Sequence, residues 1–321
     1  MMSEAASQQL RVQRIEWEAE GIFSLALARP DGADLPAYEP GAHIDLALPN
    51  GITRSYSLCG DPADRKRYVV AVGLDAASRG GSAYIHTQLR VGQMLTVSGP
   101  RNHFPLVQDA PMVVLIAGGI GITPLFCMAR QLSQQGRPYA MHYAARNPQR
   151  MAFLSGLQAL QGAVHPHFDD TAGGPLDVAA IFARYAKGTH FYCCGPLPMP
   201  AAFEAAASAA GVAEDCVHVE YFTAKPQDKA GAESSFTVVL GRRGGEFTIP
   251  ADKSILDVLT AGGIKIESSC QDGICGTCEV KVLEGMPDHR DSVLTKAEQA
   301  AGKSMMVCVS RCQGARLVLD L

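Results

Sequence analysis

The sequence predicts a multidomain chain: an antiparallel β-barrel, then an α/β domain on a parallel sheet, then a small α+β domain carrying a cysteine cluster. Three observations predict this. The first hundred residues are short strand-like runs separated by turns, which suits a small antiparallel barrel. From about Pro111 the rhythm changes to strands alternating with helical segments, the pattern of a parallel sheet. Beyond residue 235 a hairpin and a short helix lead into Cys270, Cys275 and Cys278, with Cys308 further on. The length agrees, because 321 residues is about twice the ~150-residue domain prior and calls for two or three domains.

In the barrel, strands are expected over residues 43–48, before Pro-Asn-Gly, and over 54–58, 68–72 and 94–97, the last before Ser-Gly-Pro. In the α/β part, strands are expected over 113–117, 139–143, 164–168 and 190–194. Helices should fill 125–132, 152–160, 176–185 and the Ala-rich run 201–210. Between Thr223 and Ser235 the chain is polar and without apolar periodicity, which marks a linker. Runs 236–240 and 246–249 form a hairpin around Gly-Arg-Arg-Gly-Gly, and 254–261 is a short helix. The expected domains are 1–106, 107–228 and 229–321, with no internal repeat.

The composition is 47% hydrophobic and 19% charged, with mean hydropathy +0.04. The 28 Lys+Arg against 32 Asp+Glu give −4, so there is no basic field for nucleic acid. Ten cysteines are about 3% of the chain, below the roughly 8–10% of a disulfide scaffold, and the first twenty residues have no apolar signal-peptide core. A reducing cytoplasm is expected. Residues 110–129 are uncharged and near the ~20 that span a bilayer, yet Gly118-Gly119-Ile120-Gly121 breaks them into strand, glycine turn and helix. No membrane segment is expected.

Cys270, Cys275 and Cys278 have spacing C-x4-C-x2-C, and Cys308 follows after 29 residues. This is the plant-type [2Fe–2S] ligand spacing. Gly273, Gly276 and Thr277 let the backbone approach the sulfurs and offer N–H groups to them. Zinc is the competitor, although structural zinc usually draws on two short knuckles rather than three thiols in one loop. The other six cysteines, at 59, 127, 193, 194, 216 and 312, lack ligand spacing and read as small buried hydrophobes, with Cys194 to be weighed separately.

Gly118-Gly119-Ile120-Gly121-Ile122-Thr123-Pro124 follows a buried strand and opens a helix, with Thr123 expected as its N-cap and Pro124 in its first turn. A pyrophosphate suits that helix start. The run is not G-x-G-x-x-G, and a purely structural strand-to-helix turn is the alternative. Cys194-Gly195-Pro196 ends a second strand of the same sheet, and ligands of open α/β sheets bind at such ends. The two together suggest a nicotinamide dinucleotide. In the barrel, Arg54-Ser55-Tyr56-Ser57 and Arg79-Gly80-Gly81-Ser82 suit a phosphate and a flat ring, although simple strand alternation also sets Arg54 and Tyr56 on one face.

Taken together, and over essentially its whole length, the chain resembles the phthalate dioxygenase reductase family. The marks are Arg54-Ser-Tyr-Ser57, Arg79-Gly-Gly-Ser82, Pro100-Arg-Asn-His-Phe-Pro105, Gly118–Pro124, Cys194-Gly-Pro196, Glu220-Tyr-Phe222 and the four spaced cysteines. The resemblance implies a flavin barrel, a ferredoxin reductase-like nicotinamide domain and a β-grasp plant-type ferredoxin domain, in that order, and FMN rather than FAD. It assigns Arg54, Tyr56, Ser57 and Val72 to the flavin, Gly80, Gly81 and Ser82 to its phosphate, and Phe222 to a cover over the ring. It assigns Gly118, Gly119, Gly121, Thr123, Cys194, Gly195 and Pro196 to the dinucleotide, with Cys194, Thr123 and Ser57 at the point of hydride transfer. Two departures stand out. Cys193 precedes Cys194 where one cysteine is usual and is read as packing, and Val309 follows the fourth ligand where relatives often have a second cysteine.

The activity so implied is NADH-dependent: a hydride passes to the flavin, and single electrons leave through the cluster to a terminal Rieske-type oxygenase, the chain itself being a monomer. The cofactors carry the chemistry, and the protein positions and tunes them. A potential of order −400 mV is expected for such a cluster. His43, His86 and His103 near the flavin motifs are read as packed or capped histidines. Arg146 and Arg150 could meet a 2′-phosphate, although NADH is the cofactor the resemblance implies. Asp272, Glu279 and Glu284 suggest an acidic face for a basic partner. A quinone or soluble ferredoxin as acceptor, or a zinc-held module without redox activity, are the rival readings.

Overall fold

The structure, a computed structural model, describes residues 7–76, 78–224 and 234–321. Most of the expected linker lies outside the described residues. The chain forms two compact units that divide between Phe222 and Thr223. The first holds two sheets where two separate domains were expected. They share one apolar cluster: Ala19, Ile22, Cys59, Ala71, Phe104 and Leu106 from the barrel side pack with Leu125, Phe126 and Tyr192 from the α/β side.

The barrel sheet consists of β1 (Gln8–Ala19), β2 (Ile22–Ala28), β3 (Ala42–Ala47), β4 (Thr53–Ser57), β5 (Tyr68–Gly73) and β6 (Met94–Asn102), with α1 (Gly81–Thr87) between the last two. Its order is β4-β3-β6-β1-β2-β5, and a Leu58–Val70 bridge curls the two edges together. Leu10, Val12, Leu25, Leu27, Ile44, Leu46, Val70 and Val97 fill the interior. β1 and β2 were not among the expected strands. In β1 the outward residues are mostly Gln, Arg and Glu, with an exposed Trp17, so its buried Leu10 and Val12 are thinly signalled.

The parallel sheet follows. It contains β7 (Val113–Gly118), α2 (Ile122–Gln134), β8 (Tyr139–Ala145), α3 (Leu154–Gln158), β9 (Ala163–Phe168), α4 (Asp169–Ala172), α5 (Val178–Phe182), β10 (His190–Gly195), α6 (Pro198–Ala209) and β11 (Val217–Tyr221). The order β11-β10-β7-β8-β9 reverses at β7, so the carboxyl ends of β7 and β10 flank the crevice where such sheets bind ligands. Alternation sends Cys194 into the cluster shared with the barrel and Cys193 into the opposite one, with Phe191 and Phe203. Cys193 therefore packs, as expected. Thr123 is not the helix cap: Gly119–Gly121 forms a 3₁₀ turn, α2 starts at Ile122, and the Thr123 hydroxyl donates back to the Ile120 carbonyl at 3.1 Å. α3 and α5 are shorter than expected, α3 being preceded by Phe153 in a left-handed conformation at φ 61°. Among the described residues no helix is long and apolar enough to cross a membrane.

The second unit contains β12 (Phe236–Leu240), β13 (Glu246–Ile249), α7 (Ile255–Ala261), β14 (Glu279–Glu284), β15 (Pro287–Asp288), α8 (Lys296–Ala301), β16 (Ser304–Met306), β17 (Arg311–Cys312) and β18 (Arg316–Leu319). The main sheet runs β13-β12-β18-β14-β16, with the returning β18 inserted parallel to β12. A Ser254/Asp257 capping box starts α7, a device that contributes about 1 kcal/mol. Phe236, Val238, Ile255, Leu259, Met305 and Leu317 make the core that α7 covers, the arrangement of a β-grasp.

Candidate functional site

The four spaced thiols come together in the second unit. Cys270, Cys275, Cys278 and Cys308 are all buried, and they meet as two hydrogen-bonded pairs, Cys270 with Cys275 and Cys278 with Cys308. The loop is shaped for sulfur. Gly273 takes φ +69°, and a Cβ there would come to 2.6 Å from Val309. The N–H groups of Asp272 and Ile274 donate to the Cys270 sulfur at 3.3 and 3.5 Å, and Thr277 Oγ1 lies 3.2 Å from that of Cys275. Within each pair one thiol donates to the other, which lowers Cys275 and Cys278 and raises Cys270 and Cys308. Two pairs suit a binuclear cluster with two thiolates on each iron. Among the described residues no three His, Cys, Asp or Glu side chains gather as a single-ion site.

In the first unit the two glycine-bearing strand ends touch. A Cβ on Gly118 would come to 2.8 Å from Pro196, one on Gly195 to 2.8 Å from Met199, and one on Gly121 would run into the Cys194 carbonyl. Gly119, at φ +51°, has open space where its side chain would be, which leaves its backbone accessible to a pyrophosphate. Cys194 is fully buried, and burial first, then Glu220, raises its thiol well above the ordinary range, so it stays protonated. Glu220 is opposite Cys194 in the β10–β11 register and accepts a hydrogen bond from Ser57 Oγ at 3.2 Å. Ser57 belongs to the barrel, so this bond joins the flavin wall to the dinucleotide crevice.

The sequence gives Glu220 no role of its own, and its place in the site emerges from the register. Burial pushes it up to about 8 from an ordinary 4.5, with the Ser57 hydrogen bond acting the other way. A carboxyl that holds its proton more tightly folded than unfolded stabilises fully below about pH 4.5, and that contribution is lost as pH rises towards 8. Glu220→Gln should remove a stability slope of up to about 1.4 kcal/mol per pH unit across this window. Denaturant unfolding of both proteins at several pH values checks this, and equal slopes would contradict it.

On the barrel, Gly81 leaves room for the Arg54 stem, since a Cβ there would approach Arg54 Cγ at 2.8 Å. Arg54 and the Gly-Gly-Ser turn are thus neighbours. Gly80 sits at φ +98°, a conformation that favours glycine. The Gly80 and Ala83 N–H groups and the Ser82 hydroxyl all point at Ser78 Oγ, at 3.2, 3.3 and 3.0 Å. Donors that converge on one oxygen are the set that a phosphate oxygen uses. Ser78, and Asn50, which donates to the Gly80 carbonyl at 3.2 Å, were not read from the sequence. Tyr56 is half-buried against the barrel core and burial pushes its phenol up to about 12, so it is neutral.

Phe222 packs partly buried against the shared cluster. Val72 is placed differently from the rest: its side chain is enclosed in the barrel core and its carbonyl accepts from His86 at 2.9 Å. His86 also stacks on Phe23, a packed histidine as expected. Arg150 pairs with Glu20 of the barrel at 3.2 Å, both side chains being about half exposed. Glu284, largely exposed, forms an ion pair with Arg316 at 3.2 Å.

These sites together define an oxidoreductase with a pyridine-nucleotide crevice, a flavin wall and a [2Fe–2S] loop. The family model "Oxidoreductase NAD-binding domain" matches residues 115–205, and "2Fe-2S iron-sulfur cluster binding domain" matches 238–313. The chain is 49% identical to phenoxybenzoate dioxygenase subunit beta of Ectopseudomonas oleovorans, over 97% of each chain. It is 45% identical to tetrachlorobenzoquinone reductase of Sphingobium chlorophenolicum, over 97% of each. The solved structure of phthalate dioxygenase reductase, a modular protein for electron transfer from pyridine nucleotides to [2Fe–2S], superposes with TM-score 0.71 at 40% identity, over 98% of each chain. The chain belongs to the phthalate dioxygenase reductase family. Its cofactors are a pyridine nucleotide, FMN and a [2Fe–2S] cluster.

Proposed function

We propose that this chain is the NADH-dependent reductase of a Rieske-type oxygenase system, a cytoplasmic monomer with domains over residues 1–106, 107–228 and 229–321. The observation that carries this is the meeting of Ser57, Glu220 and Cys194 between flavin wall and crevice, in a chain that also carries two thiol pairs. The chemistry the flavin and the cluster would supply when bound is acceptance of a hydride as an electron pair and its release as single electrons.

The chain's residues hold that chemistry in place. Arg54, Gly80, Gly81 and Ser82 take the FMN phosphate, with Tyr56 and Phe222 against the ring. Gly118, Gly119, Gly121, Gly195 and Pro196 let the dinucleotide backbone come close, and Thr123 fixes the turn through Ile120. Cys194 and Ser57 flank the hydride path, while Val72 supports the flavin wall through its packing in the barrel core and its carbonyl's bond from His86. The preference for NADH follows from the ends of β8 and β9. There Asn147 keeps a buried oxygen without a hydrogen-bond partner, the Asp169 carboxylate has His167 Nε2 at 3.4 Å, and Asp170 accepts from Asn147 at 3.4 Å. Ribose hydroxyls can donate to these oxygens, whereas a 2′-phosphate meets two carboxylates.

Acid-released flavin is expected to be FMN, and chromatography that returns FAD would contradict the phosphate site. The partner is tested by mixing purified chain and NADH anaerobically with a purified Rieske-type oxygenase. Bleaching of the Rieske centre that slows as salt is raised is expected, because Asp272 and Glu279 still give the cluster loop acidic character. No bleaching would overturn the oxygenase reading. The similarity to a tetrachlorobenzoquinone reductase favours a second acceptor class, and a benzoquinone reduced faster than the Rieske centre would select it.

A further inference from the structure

Tyr192 is fully buried in β10, two residues before Cys194 and on the same face of the strand. A phenylalanine would fill this place with no buried hydroxyl to satisfy. The hydroxyl is instead engaged on both sides of Leu106: it accepts from the Val107 N–H at 2.9 Å and donates to the Pro105 carbonyl at 3.2 Å. These residues lie in the segment that carries the chain from the barrel, whose last strand ends at Asn102, to the parallel sheet, which begins at Val113. Arg137 Nη2 donates to the Val107 carbonyl at 2.8 Å. The Tyr192 ring is itself gripped. Phe104 meets it edge-on at 5.4 Å and 65°, and His218 stacks on its face at 4.2 Å and 14°, with His218 Nε2 3.0 Å from His190 Nδ1.

The crossing segment is therefore pinned to the strand that ends at the crevice. Two residues along a parallel strand span about 6.6 Å, so this tie lies about that far behind Cys194. Glu220, opposite Cys194, makes a second tie through Ser57 of the barrel. The apolar cluster shared by barrel and sheet attracts the two without fixing a direction, whereas hydrogen bonds hold named atoms at set distances. With one tie the barrel could tilt along β10, and the second removes that tilt.

We propose that Tyr192 is a positioning residue for hydride transfer: by clamping Pro105 and Val107 to β10, its hydroxyl sets the spacing between the flavin wall and the crevice end at Cys194. This rests on the hydride-converting function given above. Tyr192 acts through the segment and the strand rather than on the reacting atoms. Removing the hydroxyl unties both groups of the segment, and the flavin wall then shifts against β10 while the ring still fills its place.

The test compares the cofactor-loaded native protein with Tyr192→Phe, which loses the hydroxyl and keeps the ring. On anaerobic mixing with NADH, the long-wavelength charge-transfer absorbance of nicotinamide against flavin should weaken in the variant. Flavin bleaching at saturating NADH should slow about tenfold, since small displacements of reacting groups cost rate steeply, while the NADH concentration for half the maximal rate stays near the native value. Without NADH, amide hydrogen exchange over residues 104–108 should quicken in the variant. Phe203→Leu, in the apolar cluster on the opposite face of the sheet, is the control for lost stability: it should lower the melting temperature and leave absorbance and rate as they were. A native charge-transfer absorbance and rate in Tyr192→Phe overturn the proposal whatever its melting temperature, as do unchanged amide exchange or a control that loses as much as the variant. The two readings stay distinguishable, because absence of bleaching in the native protein overturns the function, whereas normal native bleaching with an unaltered variant overturns only the positioning role.

Discussion

Cys275→Ser should abolish electron delivery to any one-electron acceptor while NADH continues to bleach the flavin. Cys275 carries one of the four thiols, sits 3.2 Å from Thr277 Oγ1 and is the member of its pair most readily deprotonated. Serine places a harder oxygen where a thiolate must stand, so iron and sulfide content should fall to background. Because a bound cluster stabilises only the folded second unit, its loss should also lower the melting temperature of that unit. The first unit contains none of these ligands, and NADH-driven flavin reduction should stay near the native rate. Unchanged iron content would sink the ligand assignment, whereas a loss of flavin reduction would show that the two sites are not separable.

Gly121→Ala should do the reverse. A Cβ at this position collides with the Cys194 carbonyl and comes to 2.6 Å from the Gly195 nitrogen, both backbone atoms that cannot swing aside. The 3₁₀ turn must move away from β10, at about 1–3 kcal/mol, and the groups that position the nicotinamide move with it. Displacements of this kind can cost about 10²-fold in rate, so NADH-driven flavin bleaching should fall by that order while iron content is unchanged. Stopped-flow bleaching against NADH concentration checks this. A native rate at saturating NADH would show that the close approach of the two strand ends does not position the reaction.

The parts of the site that lie within one short stretch of chain were legible in the sequence. The C-x4-C-x2-C loop, the Gly118–Gly121 turn and the Arg-Gly-Gly-Ser run each announce a local geometry. The remainder depends on pairs that only the fold creates. Glu220 gains its role from a register that sets it beside Cys194 and from Ser57, 163 residues earlier. Arg150 reads as a phosphate ligand in the sequence, and only the fold brings it to Glu20, 130 residues away. Thr123 looked like a helix cap because its residue type suits one, but the glycines before it form the turn and their backbone starts the helix. β1 was missed for a similar reason: its outer face is charged, and only curling of the sheet buries Leu10 and Val12. The change from barrel to α/β sheet was legible as a change of rhythm, yet the apolar cluster that joins the two sheets draws single residues from separate strands, loops and helices, which no periodicity reports.

An anaerobic titration with NADH, followed by absorption and with flavin, iron and sulfide counted in the same sample, tests the central claim most directly. The account predicts one FMN and two irons per chain, with bleaching shared between flavin and iron–sulfur bands. NADH uptake should approach about 1.5 per chain, since the flavin takes two electrons and the cluster one. An end point of one NADH per flavin with the iron–sulfur absorption untouched, or a colourless chain without iron, would contradict it.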